Sequence, residues 1–294
     1  MRTPRDGTPV GPRHPRRLLD ADAAWAGLRG VVNAPWRGPL GLTADGLPVV
    51  PGDGIASVDA GGEVRGRATP EAAQLLALLG PVALATPERP FVVAQLAQSL
   101  DGFIATASGA SRSLSGPANL DHLHRLRALV DVVVVGRRTA CLDDPRLTVR
   151  RVPGAHPARA VLDPSGRVDG GAQLFAADGS RCLRVGTGAC PSHVEQLQVG
   201  RTPRDVLAAL AGAGFRRILV EGGGETVSSF VAAGVVDRLH LAVAPVFFGA
   251  GRRGLALPAV GSVEGAHRPP ARRFAMDPDV LYELAFDRGA TSTS

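Results

Sequence analysis

Between residues 91 and 287, short apolar runs alternate with stretches of helical periodicity. The runs at 91–96, 132–135, 159–162, 182–185, 218–220, 239–244 and 281–286 predict strands. The patterns at 118–129, 203–211 and 225–233 predict helices, the second with Thr202 as N-cap and Pro203 at the first helical position. Strand–helix–strand alternation predicts an α/β sheet covered by helices. Upstream, 18–32 and 70–79 have helical patterns, the second stopped by Gly80-Pro81. Between them, Asp45-Gly46 and Pro51-Gly52 mark turns. Residues 87–90 read as a linker, and no repeat of 20–50 residues recurs. The chain thus divides into a tail (1–17), an accessory region (18–88), one continuous unit (89–287) and a second tail (288–294).

A chain of 294 residues has room for two domains at about 150 residues each. With 45% hydrophobic and 20% charged residues it can bury a core. The longest uncharged stretch, 72–87, is too short to span a bilayer and is interrupted by Gly80-Pro81, so no membrane partner is expected. Three cysteines, without a CxxC pair, offer neither a disulfide framework nor a zinc ribbon; a reduced, cytoplasmic protein without metal is expected. The net charge of +6 is carried by arginine alone, and five arginines against Asp6 crowd into the first 17 residues. That tail reads as a solubilising end. With one Tyr and two Trp there is little to stack bases on, so no nucleic-acid partner is expected. Arg16-Arg17 does not open an export signal, because Asp20, Asp22 and Arg29 interrupt the apolar region that such a signal needs.

Three loops could carry chemistry. In Val220-Glu221-Gly222-Gly223-Gly224-Glu225-Thr226 a strand ends, three glycines follow and a helix begins. Such a turn is either an anion site at a helix start or a tight turn with no ligand. It matches neither GxGxxG nor a P-loop. In Val135-Gly136-Arg137-Arg138-Thr139 and the following Asp143-Asp144-Pro145-Arg146-Leu147-Thr148-Val149-Arg150, carboxylates and arginines follow a strand. They could bind sugar hydroxyls and a phosphate together, or pair among themselves in water. The third loop runs from Asp101-Gly102-Phe103 to Ser111, Ser113 and Ser115 and is rich in hydroxyls. On the helix after it, His122 and His124 point to different sides and read as surface residues. His193-Val194-Glu195 is half of a zinc deaminase signature, but no cysteine follows Cys190 to complete it.

Taken in order, the segments QSLDGFIAT, SRSLSG, HRLRALVDVVVVG, TACLDDPRLTVR, VLDPSGRV, ILVEGGGETVSSF and VDRLHLAVAPVFFG resemble the reductase half of the bacterial riboflavin-biosynthesis deaminase/reductase family. The resemblance covers 89–287; residues 1–88 do not resemble the deaminase half, which implies a stand-alone reductase. It implies a dihydrofolate-reductase-like mixed sheet flanked by helices, and NADPH-dependent reduction of the ribosyl group of 5-amino-6-(5-phosphoribosylamino)uracil to a ribityl chain. A phosphorylated small-molecule substrate and a homodimer are implied with it. Matched by motif position, Asp143 and Glu221 would be catalytic, and Ser111, Arg127, Leu147, Arg150 and Glu221 would contact substrate. Ala105, Ser113, Gly136, Thr139, Asp143, Ser165, Arg167, Gly222, Gly223, Gly224, Glu225 and Thr226 would contact cofactor, within a run reaching 229.

Arg127 and Arg150 are expected to bind the substrate's phosphate; otherwise Arg127 pairs with Asp131 and Arg150 is solvated. Ser165 and Arg167 favour NADPH over NADH by offering a hydroxyl and a cation to a 2′-phosphate, with Asp163 nearby opposing. Two departures from the family stand out. Phe103 replaces a usual basic residue, and Arg137 falls in the usual VGxGT segment, here Val135-Gly136-Arg137-Arg138-Thr139. They leave open a reductase of another pterin- or pyrimidine-like substrate, and a catalytically silent binding homologue.

Overall fold

The computed structural model describes residues 17–32, 36, 38–50, 52–86, 88, 90–111, 114–200 and 202–286. The two expected tails, apart from Arg17, and Ser113 lie outside the described residues.

The chain begins with helix α1 (Ala21–Val32), which starts three residues later than its apolar pattern because the Asp20 carboxylate accepts from the Ala23 amide and caps it. Four short strands follow, β1 (Leu40–Leu42), β2 (Pro48–Val49), β3 (Ala56–Val58) and β4 (Val64–Gly66), paired antiparallel in the order β2-β1-β3-β4. The turn-rich sequence had predicted only turns here. Helix α2 (Pro70–Ala83) is capped by Thr69 and runs straight through Gly80-Pro81, the expected stop. Pro81 cannot donate to the Ala77 carbonyl one turn back. That carbonyl accepts instead from Arg272 Nη2 at 3.0 Å, so the helix continues with its backbone satisfied.

The main sheet is built from β5 (Phe91–Ser99), β7 (Val132–Gly136), β8 (Ala158–Asp163), β9 (Cys182–Gly186), β10 (Val194–Leu197), β11 (Arg217–Glu221), β12 (Arg238–Ala244), β14 (Ala271–Met276) and β15 (Asp279–Ala285). Its order is β10-β9-β8-β7-β11-β5-β12-β15-β14, parallel from β10 to β12 and antiparallel across the last two pairings. Each predicted apolar run falls inside one of these strands, except that 281–286 overruns the end of β15 by one residue. A separate ribbon pairs β6 (Phe103–Thr106) with β13 (Gly251–Arg253). The helices are α3 (Pro117–Leu129), α4 (Arg137–Asp143), α5 (Pro203–Gly212) and α6 (Gly224–Ala232). Of these, α4 had been expected to be loop, its seven residues being too few to show a period.

Alternate residues of each parallel strand point to opposite faces. Val92, Val132, Val134, Ile218 and Val220 enter one core with α5 and α6 side chains. Val93, Val133, Val135 and Leu219 enter the other core, which continues through Leu126 and Leu129 of α3 into Trp25, Leu28, Leu76 and Leu79 of the N-terminal part. Residues 17–86 and the sheet therefore share one uninterrupted apolar core. Arg217 reinforces the junction: it pairs with Asp131 and donates from Nη1 to the Val32 carbonyl at 2.9 Å.

Packed between the sheet and the N-terminal helices, α3 has both its histidines buried, not on the surface as expected. His122 Nε2 lies 2.9 Å from His240 Nδ1, and the Arg150 amide donates to His124 Nδ1 at 2.9 Å. Burial, then the Arg127, Arg150 and Arg151 charges, pull the His124 ring down to about 4. Burial, helped by His240 and Arg125, also holds His122 well below the usual histidine value. The unfolded rings take up protons near the ordinary value of about 6.5. Between that pH and about 4 the unfolded state binds more protons, so stability falls as pH falls. The midpoint of urea unfolding should therefore drop from pH 7 to pH 5, and drop less in His124→Asn. An unchanged midpoint would show that the rings are protonated without leaving their places.

Candidate active site

Gly136 ends β7, Leu162 lies near the end of β8, and Glu221 ends β11. These parallel strands run the same way, so their C-terminal ends and the turns after them face one crevice, the position where open α/β sheets bind ligands. A cavity of about 640 Å³ occupies it. Of the residues singled out from sequence, Ala105, Ser111, Gly136, Thr139, Asp143, Glu221, Gly222, Gly223, Gly224, Glu225 and Thr226 line this cavity. The three loops thus meet.

The glycine turn is held by α4. Thr139 Oγ1 accepts from the Gly223 amide at 2.9 Å. Gly222 has φ +101°, a left-handed conformation that suits glycine, and a side chain there would press on Thr139. Gly224 lies so close to the Gly254 carbonyl that no side chain could be inserted. The turn therefore brings backbone against backbone, and no side chain caps the N-terminus of α6 that opens beside the cavity. An uncapped helix start there attracts anions. Glu225 is paired with Arg138, joining α6 to α4.

The adjacent carboxylates after β7 separate in function. Asp144 turns away to accept from the Gln173 amide at 2.8 Å. Asp143 stays on the cavity wall, where desolvation pushes its carboxyl above the usual carboxylate range against the pull of Arg252. A carboxyl raised in this way is suited to holding a proton.

Arg127 does not line the cavity. Only 7% exposed, it forms a two-pronged pair with Glu221, with Nε and Nη2 each 2.7 Å from a carboxylate oxygen, and donates from Nη1 to the Thr148 carbonyl. The expected pairing with Asp131 does not form, because that carboxylate belongs to Arg217; the guanidinium is engaged by Glu221 and stays off the cavity lining. Leu147 is buried beside this pair in a left-handed conformation (φ +56°), also off the cavity. Arg150 is exposed and donates to Thr148 Oγ1.

Ser165 and Arg167 lie on an exposed turn just past Leu162, outside the cavity lining. Asp163, fully buried, accepts from the amides of Arg167 and Val168 and so shapes the turn. It does not compete with Ser165 and Arg167 for a ligand.

The structure adds residues that sequence reasoning had not assigned. Gln95 and Asn119, 3.3 Å apart, form part of the wall, as do Arg252 and Arg253, beside the Arg137 and Arg138 already singled out. A buried glutamine in an otherwise apolar strand was the readable sign of Gln95; Arg252 and Arg253 come from β13, which has no apolar signature. Arg253 sits 5.9 Å over the Phe103 ring, its cross-strand partner. Among the described residues no group of His, Cys, Asp or Glu could hold a metal ion, and no helix is long and apolar enough to cross a membrane.

The family described as RibD C-terminal domain matches residues 90–266. The chain belongs to this family. The RibD C-terminal domain here is 36% identical over 174 residues to the 2,5-diamino-6-ribosylamino-4(3H)-pyrimidinone 5′-phosphate reductase of Methanothermobacter thermautotrophicus, covering 55% of this chain and 80% of that protein. It is 34% identical over 233 residues to the riboflavin biosynthesis protein RibD of Corynebacterium ammoniagenes, covering 77% of this chain and 64% of the relative. Among solved structures it superimposes on the deaminase/reductase of Thermotoga maritima with a TM-score of 0.64 at 25% identity, covering 73% of this chain and 62% of the other. The mixed sheet flanked by helices is thus the RibD reductase-domain architecture, dihydrofolate-reductase-like as the sequence had implied.

Proposed function

We propose that the chain catalyses the NADPH-dependent reduction of the ribosyl group of 5-amino-6-(5-phosphoribosylamino)uracil to the ribityl product. The observation that carries this reading is the convergence on one cavity of an uncapped helix start, a carboxyl of raised pKa and a wall rich in arginine. Family membership and the reductase names of the relatives support it.

The cavity chemistry fits a nicotinamide cofactor. Gly223, Gly224 and Glu225 at the start of α6, with Arg138 beside them, would hold a pyrophosphate, and the Ser165–Arg167 turn would take a 2′-phosphate. When bound, the reduced cofactor supplies the hydride that reaches the sugar's C1′. As the C1′–O4′ bond opens, Asp143 gives its proton to O4′. Glu221, fixed by Arg127, orients the sugar, and the exposed Arg150 meets the substrate phosphate. Homodimer assembly, expected as a solution mass twice that of the chain, and a cytoplasmic location, in keeping with three free thiols, belong to the same proposal.

A second substrate of related pyrimidine or pterin chemistry is favoured by one feature, the Phe103–Arg253 stack on the ribbon beside the cavity. Incubation with NADPH and the deaminated ribosylaminouracil phosphate should give the ribityl product, faster than with NADH. Turnover of the 2,5-diamino pyrimidinone alone would select the second substrate. Cofactor binding without turnover of either compound would reduce the chain to a binding homologue.

A further inference from the structure

Residues 17–86 meet the cavity nowhere, yet they connect to it through an ordered row of polar groups, three of them buried and the last, Arg272, partly exposed. Across the sheet Gln95 pairs in register with His240, His240 with Glu283, and Glu283 with Arg272, so the four lie side by side on one face. Helix α3 lies over this row and presses a polar side chain onto two of its members: Asn119 onto Gln95 and His122 onto His240. The N-cap of the same helix is tied to the row's strand, the Gly116 amide donating to Asp279 on β15 at 2.9 Å.

The far end of the row grips the N-terminal part. Arg272 donates from Nε to Glu283 at 2.5 Å, from Nη1 to the Gly62 carbonyl at 2.8 Å and from Nη2 to the Ala77 carbonyl at 3.0 Å. The last acceptor is the carbonyl that Pro81 releases. Gln74 of α2 adds a donor to the Ala275 carbonyl on β14. Helix α3 is thus clamped from outside by α1 and α2 and from inside by the polar row. Its N-terminal half carries Asn119 into the cavity wall.

We propose that residues 17–86 brace α3 and thereby hold the Gln95–Asn119 wall in its productive place, with Arg272 as a positioning residue. The physical ground is strand register: the His240 and Glu283 side chains lie 3.7 Å apart without a hydrogen bond, but backbone pairing of β5, β12, β15 and β14 makes these strands shift together. Arg272, bonded to three different segments, ties the position of α2 to β15, and the paired strands carry it to Gln95, against which Asn119 rests. This rests on the reading of the cavity as the reductase site.

The test compares two arginines in the full chain. Arg272→Met should raise KM for the ribosylaminouracil phosphate about tenfold, leave kcat within about twofold, and speed amide hydrogen exchange in the N-terminal half of α3. Arg217→Met, which cuts the other anchor to the N-terminal part at Val32, should lower stability but leave KM and that half of α3 unchanged. If Arg272→Met does not fold, Arg272→Lys, which keeps the charge and loses the fork, should show the same shifts in smaller measure. Unchanged KM and exchange in the Arg272 variants, or equal KM rises from both sites, would overturn the proposal. If the chain turns over no such substrate, the exchange comparison still decides it: faster α3 exchange in the Arg272 variant alone keeps the brace and removes only the reductase reading.

Discussion

Arg127→Ala is expected to cost about 3–5 kcal/mol of folding stability, the largest loss of any single substitution considered for this chain. The pair with Glu221 is nearly dry, at 7% and 6% exposure, so removing the guanidinium leaves a carboxylate buried without its cation. Because Glu221 also lines the cavity, its displacement should lower kcat/KM as well. Replacing both partners together, as Arg127→Met with Glu221→Leu, should recover much of the stability and none of the activity. Urea unfolding of the single and double variants measures the difference. A stable Arg127→Ala protein with only a raised KM would return Arg127 to the role of phosphate ligand.

Asp143→Asn should lower kcat by about 10²–10⁴-fold while leaving the fold intact, since Asp143 has no hydrogen-bonded partner among the described residues. The pH profile supplies the sign. Desolvation favours the neutral, proton-bearing carboxyl, and a proton donor works in that form, so kcat of the parent should fall as pH rises through the raised pKa. Arg252 opposes the shift, so Arg252→Met should move the falling limb to higher pH. Full activity in Asp143→Asn at every pH would remove Asp143 from the mechanism.

Part of the cavity rim was legible because it is local. A valine run, a glycine and a polar segment in consecutive order specify a strand end and its turn, and Gly136, Asp143 and Gly222 to Thr226 do line one cavity. What was illegible is carried by residues distant in sequence. Whether α2 ends at Leu79 depends on Arg272, almost two hundred positions later. Arg127 was assigned to the substrate phosphate or to Asp131 because its partner lies 94 positions away on another strand. His122 and His124 looked like surface residues because nothing local reveals that α3 is packed between the sheet and the N-terminal helices. The β1–β4 sheet escaped because strands of two or three residues are too short to display alternation.

The uninterrupted core has a consequence for biosynthesis. Residues 17–86 leave the ribosome before α3 and the sheet that complete their packing, so Leu28, Leu76 and Leu79 must wait in water for partners not yet made. The nascent N-terminal part is therefore an aggregation risk until synthesis has passed β15, and slower translation of that interval lengthens the exposure.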